Sequence, residues 1–65
     1  PILYLFSKAY RFRSEAEAYR VQLTYYPANE YPQRLDDYAE YLVAHYGLGI
    51  TKEQAINAIK GVGNE

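Results

Sequence analysis

Prolines and glycines mark the ends of segments in which apolar residues recur with the spacing of an α-helix. Pro27 ends one such segment, because proline lacks the N–H group that would continue the helix. Pro32 suits the first position of a following helix, and Gly47 suits the residue just beyond the end of that helix. This punctuation predicts an all-α fold of three or four short helices joined by short loops.

The segment after Pro32 has the clearest helical pattern. Its predicted apolar face consists of residues three or four positions apart: Leu35, Tyr38, Ala39, Leu42, His45 and Tyr46. Further on, Thr51 and Gln54 form a capping box, in which each side chain bonds the backbone N–H of the other residue. We expect a short helix from this box to about Lys60, followed by a fraying tail over residues 61–65.

The first part of the chain allows more than one interpretation. Over residues 2–10 the apolar spacing favours a helix over a short buried strand at residues 2–6. Ser14 and Glu17 form another capping box, which predicts that a helix begins at Ser14. The apolar face of this helix is Ala16, Tyr19, Leu23 and Tyr26. Alternation of apolar and polar residues over 19–25 leaves a strand as the alternative.

Length and composition exclude several classes of protein. With 65 residues, one histidine and no cysteine, the chain has no disulfides and cannot build an all-histidine metal site by itself. Its formal charge of −1 argues against sequence-independent nucleic-acid binding. No apolar run approaches the roughly 20 residues of a membrane span, so we expect no membrane partner and a soluble protein, cytoplasmic or virion-associated. Residues 1–65 form either a single small helical domain or the C-terminal segment of a larger domain.

Tyrosine is the most distinctive component of the composition, at nine residues against two phenylalanines and no tryptophan. Each tyrosine combines an apolar ring with a polar tip, which suits half-buried positions and interfaces. Two interpretations remain open at this point: a tyrosine-rich core, and a tyrosine-rich surface that contacts a partner.

Two glutamates near the middle of the first part are the strongest candidates for chemistry. Residues two positions apart on a helix point about 200° away from each other, so Glu15 and Glu17 cannot both reach one metal ion. The capping box gives Glu17 a structural role and leaves Glu15 available. Tyr19 lies one turn after Glu15 on the same face and could donate a hydrogen bond to it. Helix stabilisation alone is the simpler explanation of both acids.

The sequence of residues 12–22, Phe-Arg-Ser-Glu-Ala-Glu-Ala-Tyr-Arg-Val-Gln, resembles a segment of small zinc metallopeptidase-like proteins of the gluzincin type, found in bacteria and phages. In such proteins this segment follows a His-Glu-x-x-His helix and a short apolar and basic stretch, which residues 2–13 resemble. Residues 38–42 and 46–48 resemble the end of such proteins.

The resemblance implies a C-terminal portion of such a hydrolase, with Glu15 as third zinc ligand, Tyr19 as a donor near it, and Ser14 and Glu17 as a helix cap. Tyr19 stands where related gluzincins carry an aspartate. The chain has no His-Glu-x-x-His, so two zinc ligands and the general base would come from an upstream segment or a partner chain. Catalytic zinc requires three protein ligands, so we expect this chain alone to be inactive.

Two further hypotheses belong to other classes of protein. One is a non-enzymatic phage or bacterial structural or interaction module that presents tyrosines to a partner. The other is a small DNA-binding module similar to a helix-turn-helix, with Gln54 and Asn57 as base readers and Lys52 and Lys60 as its few cations. His45, in the last turn of its predicted helix, is expected to stabilise the negative helix end.

Overall fold

The computed structural model describes residues 2–47 and 49–62, and at positions 2, 4 and 5 it describes the backbone alone. Three α-helices follow one another, with a 3₁₀ turn between the first two: α1 (Ile2–Leu23), the turn (Ala28–Glu30), α2 (Tyr31–Tyr46) and α3 (Lys52–Lys60). The described residues contain no strand, which confirms the all-α prediction and rejects both strand alternatives.

The predicted helix start at Ser14 is wrong, because α1 runs without interruption from Ile2 to Leu23. No proline or glycine occurs from residue 2 to residue 26, so nothing in the sequence breaks the helix before the capping box. In a continuous helix the N–H groups that a cap would satisfy already bond carbonyls one turn earlier. Ser14 and Glu17 are therefore exposed mid-helix residues with no cap to form, and the described residues form three α-helices rather than four.

The end of α1 also differs slightly from the prediction. The helix stops at Leu23, and residues 24–26 continue as a tighter turn in which the N–H of Tyr26 bonds the carbonyl of Leu23 at 3.3 Å. Pro27 is extended, with ψ of 152°, and precedes the 3₁₀ turn. Because the residue before a proline disfavours helical angles, the break falls ahead of Pro27.

The predicted signals of α2 and α3 are confirmed. Pro32 lies in the first turn of α2, and Gly47 ends it in the left-handed conformation at φ 55°. Thr51 and Gln54 form both bonds of their capping box, at 2.9 and 3.1 Å. Gly61, predicted to belong to a fraying tail, instead closes α3 in the left-handed conformation, and the N–H of Val62 bonds the carbonyl of Asn57 at 2.9 Å. Residues 63–65 of that tail lie outside the described residues.

The core lies where the three helices meet. Among the described residues, eight apolar side chains are buried: Ala16, Leu23, Leu35, Ala39, Leu42, Tyr46, Ala55 and Ile59. The first six belong to the apolar faces predicted for α1 and α2, and the last two come from α3. None of these core residues precedes Ala16, and Phe12 is the first described side chain of α1 that packs against the core. The described side chains that precede Phe12 therefore lie outside this core, and the chain measures 42 × 22 × 17 Å.

The Arg20 side chain links α1 to the C-terminal end of α3 by two hydrogen bonds. Its Nε donates to the carbonyl oxygen of Ile59 at 2.8 Å, and its Nη2 donates to that of Ala58 at 3.3 Å. The last carbonyls of a helix lack partners within the helix and carry partial negative charge, so a guanidinium satisfies both requirements.

We expect Arg20→Met to lower the free energy of unfolding by about 1–2 kcal/mol, because two carbonyls at the end of α3 lose their charged donor. Urea unfolding followed by circular dichroism measures the change. Arg13→Met is the matched control, since Arg13 is an exposed arginine of the same helix and should change stability by less than about 0.5 kcal/mol. Equal effects of the two substitutions would contradict this role for Arg20.

Within the described residues, no helix is both long enough and apolar enough to cross a membrane.

Candidate metal-ligand site

Glu15 occupies an unusual position for a carboxylate on α1. Its neighbours on the helix are the core residue Ala16 and, one turn away on either side, Phe12 and Tyr19, both of which pack against the core. The side chain is half-buried, and its Oε1 atom is fully shielded with no hydrogen-bond partner. Among the buried side-chain nitrogens and oxygens of the described residues, this atom alone lacks a partner. A shielded acceptor without a donor costs free energy, so it calls for an explanation.

Aromatic rings from α1 and α2 surround this region, and we call them the aromatic cluster: Phe12, Tyr19, Tyr38, Tyr41, His45 and Tyr46. Tyr19 stacks on Tyr38 with ring centroids 4.2 Å apart and planes within 2°. Phe12 meets Tyr46 edge-on at 5.7 Å. The two contacts lie one turn before and one turn after Glu15 along α1, so they fix the helix face on which Glu15 lies.

Two phenols of the aromatic cluster interact electrostatically with Glu15. Burial, and next the negative charge of Glu15, raise the pKa of Tyr19 above its ordinary value. Burial also raises the pKa of Tyr46, with further contributions from the charge of Glu15 and from hydrogen bonding of the hydroxyl to this carboxylate. Both phenols therefore keep their protons at neutral pH and can act as donors. Neither hydroxyl donates to Oε1, which has no hydrogen-bond partner.

Tyr46 is the residue of this site that sequence reasoning missed. The periodicity of α2 places Tyr46 on the apolar face, where it is 5% exposed, and gives no sign that its hydroxyl reaches Glu15. The predicted donor Tyr19 does lie beside Glu15, as the one-turn spacing requires. A tyrosine that ends an apolar stripe next to a C-cap glycine could have indicated a polar tip in need of a partner.

Glu15 and Glu17 have different surroundings, as helix geometry predicts. Glu15 is half-buried against the aromatic cluster, whereas Glu17 is exposed. Glu17 no longer has the capping role that the sequence suggested, because α1 does not begin at Ser14. Only Glu15 remains close to other polar groups in a shielded setting.

The single histidine belongs to the aromatic cluster but forms no hydrogen bond or ion pair with Glu15. His45 is exposed, stacks on Tyr41 at 5.1 Å and meets Tyr46 edge-on at 4.9 Å. It occupies the last turn of α2, as predicted. Within the part of the chain that the structure describes, no group of three or more histidines, cysteines or acids could hold a metal ion. Further ligands for Glu15 would therefore come from outside the described residues.

Two of the four side chains proposed for DNA contact, Lys52 and Gln54, have partners within the chain. Lys52 pairs with Asp36 at 2.6 Å and with Glu40 at 3.6 Å. Gln54 caps α3, and Asn57 is half-buried. Lys60 is exposed, and the DNA-binding hypothesis stays a prediction.

Comparison with known proteins finds no similarity: no protein-family model matches the chain, and neither a curated protein nor a solved structure matches it. The gluzincin-type resemblance therefore stays a prediction, which rests on the residues themselves.

The unpartnered Oε1 atom of Glu15 leads to a prediction about the stability of the chain. We expect Glu15→Leu to raise the free energy of unfolding of the chain by about 1 kcal/mol, because it removes a shielded acceptor whose lack of a partner costs about 1–3 kcal/mol. Chemical unfolding measures the change. Glu17→Leu is the control, and as an exposed substitution it should shift stability by less than about 0.5 kcal/mol. A clear loss of stability in Glu15→Leu would show that the carboxylate is satisfied within this chain.

Proposed function

We propose that this chain is the C-terminal helical portion of a zinc metallopeptidase-like protein, and that Glu15 is its third zinc ligand. The observation that carries the proposal is the shielded Oε1 atom of Glu15, which has no partner among the described residues. A carboxylate oxygen is a normal zinc ligand, and a cation would offset the cost of shielding it from water. The motif of residues 12–22, with its glutamate at this position, gives independent support.

The face of α1 around Glu15 leaves room for another segment of protein. Arg11, Ala18 and Gln22 share this face at helical spacing, and all three are exposed. Ala18 has the smallest side chain that a helix former offers, so a second helix can approach closely next to Glu15. In this proposal that helix carries two histidine ligands and the general base, as the resemblance implies.

This chain would contribute one zinc ligand, Glu15, and the residues that orient it. Glu15 would bind through the accessible part of its carboxylate, and the rings of Tyr19 and Tyr46 beside it would restrict how the carboxylate can turn. Donors that orient a ligand commonly tune metal affinity. When bound with an open position, zinc supplies an acidic water and polarises a carbonyl, which is the chemistry of peptide hydrolysis.

The direct test is the metal content of the complete protein, purified without added metal. We expect elemental mass spectrometry to find about one zinc ion per chain. We also expect a His-Glu-x-x-His sequence to be encoded upstream of residue 1. Residues 1–65 produced alone are the control, and we expect them to retain no zinc. A complete protein that contains neither zinc nor that motif would reject the proposal.

A second candidate is the non-enzymatic interaction module of a bacterium or phage. It is favoured by large aromatic side chains on the surface, since Tyr10, Tyr25 and Tyr41 are 72%, 81% and 47% exposed. Exposed tyrosines are common anchors in protein interfaces. This candidate requires no metal, so the zinc measurement separates it from the first. Whether the protein is cytoplasmic or virion-associated stays a prediction in both cases.

A further inference from the structure

An open groove lies where the end of α1, the 3₁₀ turn and the start of α2 meet. Its volume is about 460 Å³, within the range of pockets that hold small molecules. Most of its lining is apolar or aromatic, from Leu23, Tyr26, Ala28, Tyr31 and Pro32. Glu15 is not among the lining residues, so the groove is separate from the proposed zinc ligand.

A single charged residue, Arg20, lines the groove. Among the described residues no acid forms an ion pair with Arg20, and Glu30 of the neighbouring 3₁₀ turn pairs with Arg34 at 3.1 Å instead. The ends of α1 and α2 that border the groove carry opposite partial charges, so Arg20 determines the sign of its charge. The groove therefore suits a ligand with a negatively charged group.

The guanidinium of Arg20 is held in place within the chain. Its Nε and Nη2 atoms donate to the carbonyls of Ile59 and Ala58, and its Nη1 atom has no partner among the described residues. Because a guanidinium has five N–H groups, these two bonds leave donors for an anion. An anion bound by a side chain that is already ordered costs less conformational entropy than one that must order it.

The aromatic wall of the groove is also held in place. The ring of Tyr26 has the guanidinium of Arg34 at 4.1 Å from its centroid, and its hydroxyl lies 3.5 Å from that of Tyr38. The N–H of Glu30 bonds the carbonyl of Pro27 at 2.9 Å and closes the 3₁₀ turn. An ordered apolar wall beside an ordered cation favours a ligand with an apolar body and one anionic group.

We propose that this groove binds a small organic acid in which an aromatic or aliphatic body carries one carboxylate. The carboxylate accepts hydrogen bonds from Arg20, whose planar guanidinium matches its geometry, and the body packs on Tyr26 and Leu23. A phosphate ester fits less well, because it carries more negative charge and the groove offers no second unpaired cation. Neither zinc nor Glu15 takes part in this binding.

Titration of the chain with 3-phenylpropionate, followed by nuclear magnetic resonance, tests the proposal. We expect a dissociation constant of about 1–5 mM, as is typical of so small a ligand, and the largest shifts for the groove residues. Two probes separate charge from apolar contact. 3-Phenylpropanamide has the same shape without the charge, and acetate has the charge without the apolar body, so each should bind at least about tenfold more weakly.

Arg20→Met should weaken the binding of 3-phenylpropionate by about tenfold and leave that of the amide unchanged. A purely structural role of Arg20 would change the binding of both probes equally. Arg13→Met is the matched control, because it removes the same charge from an exposed position of α1 that does not line the groove. Circular dichroism checks that both variants remain helical.

Ala28→Phe tests the groove without altering Arg20, since the larger side chain fills the space and should weaken the binding of both probes. Asn29→Phe is its control, at an exposed position of the same 3₁₀ turn that does not line the groove. All titrations contain a metal chelator, so their outcome is independent of the zinc proposal.

Four outcomes would each overturn the proposal: equal binding of the acid and the amide, equal effects of Arg20→Met and Arg13→Met, full binding by Ala28→Phe, or no binding of 3-phenylpropionate. N-acetyl-phenylalanine represents the carboxyl end of a protein chain. Binding of this compound that is tenfold tighter than that of 3-phenylpropionate would assign the groove to a chain end, and would likewise overturn the assignment to a free acid.

Discussion

Replacing Glu15 by glutamine in the complete protein is expected to lower its zinc affinity by about a hundredfold or more. Glutamine keeps the size and helix propensity of glutamate but removes the negative charge that a ligand oxygen brings to zinc. Even partners that only orient a ligand commonly change affinity by 10- to 100-fold, so the loss of a ligand itself should reach the upper end of that range. Competition with a chromophoric chelator measures the affinity.

Glu17→Gln is the control that makes this experiment decisive. Glu17 lies on the same helix and has the same chemistry, but it points about 200° away from Glu15 and is exposed. Its substitution should leave zinc affinity unchanged. Equal losses in both variants would mean that general charge rather than ligation is responsible, and no loss in either would remove Glu15 from the site.

The zinc and stability predictions for Glu15 together distinguish two roles for this residue. A glutamate kept for metal binding destabilises the chain that carries it, so Glu15→Leu should stabilise residues 1–65 and disable the complete protein. A glutamate kept for structure should destabilise the chain when removed. The shielded Oε1 atom without a partner favours the first outcome.

Apolar periodicity was sufficient to predict the core of this fold. Leu35, Ala39 and Leu42 share a face of α2 because of their spacing alone, and all three are buried. The caps at Gly47 and Thr51 followed from local chemistry, since each acts within one turn of its own helix. Such features are predictable because they depend on neighbours in sequence.

The start of α1 shows where local chemistry misleads. Ser14 and Glu17 satisfy the capping-box pattern, but a cap forms only where a helix begins, and residues 2–13 were already helical. The sequence pattern shows that a residue is able to cap a helix. A cap forms only if no preceding helical turn already accepts hydrogen bonds from the backbone N–H groups. A run of 25 residues, 2–26, without proline or glycine was the stronger signal.

The surroundings of Glu15 could be predicted only in part. Its neighbour Tyr19 follows from helix spacing, but Tyr46 belongs to α2 and reaches this region through packing between helices, where it meets Phe12 edge-on. Contacts between helices depend on the angle and rotation at which they pack, which a single sequence pattern does not encode. The same holds for Arg20 and the carbonyl of Ile59, which are far apart in sequence.

Replacing Leu42 by alanine is expected to lower the free energy of unfolding of the chain by about 2–5 kcal/mol. Leu42 is one of the two largest fully buried side chains, with 0% exposure. Its truncation loses apolar burial and leaves a cavity that the surrounding helices fill only in part. A chain of 65 residues has a total stability of about 3–10 kcal/mol, so this loss should remove most of its cooperative unfolding transition.

Leu3→Ala makes the same chemical change at a site that is 82% exposed, and it should alter stability by less than about 0.5 kcal/mol. Urea unfolding followed by circular dichroism compares the two variants directly. If Leu42→Ala unfolds within about 1 kcal/mol of Leu3→Ala, the three helices do not share one cooperative core. The large expected difference follows from position alone, because the three-helix body depends on a few buried residues, and none of the described side chains from residue 2 to residue 11 is among them.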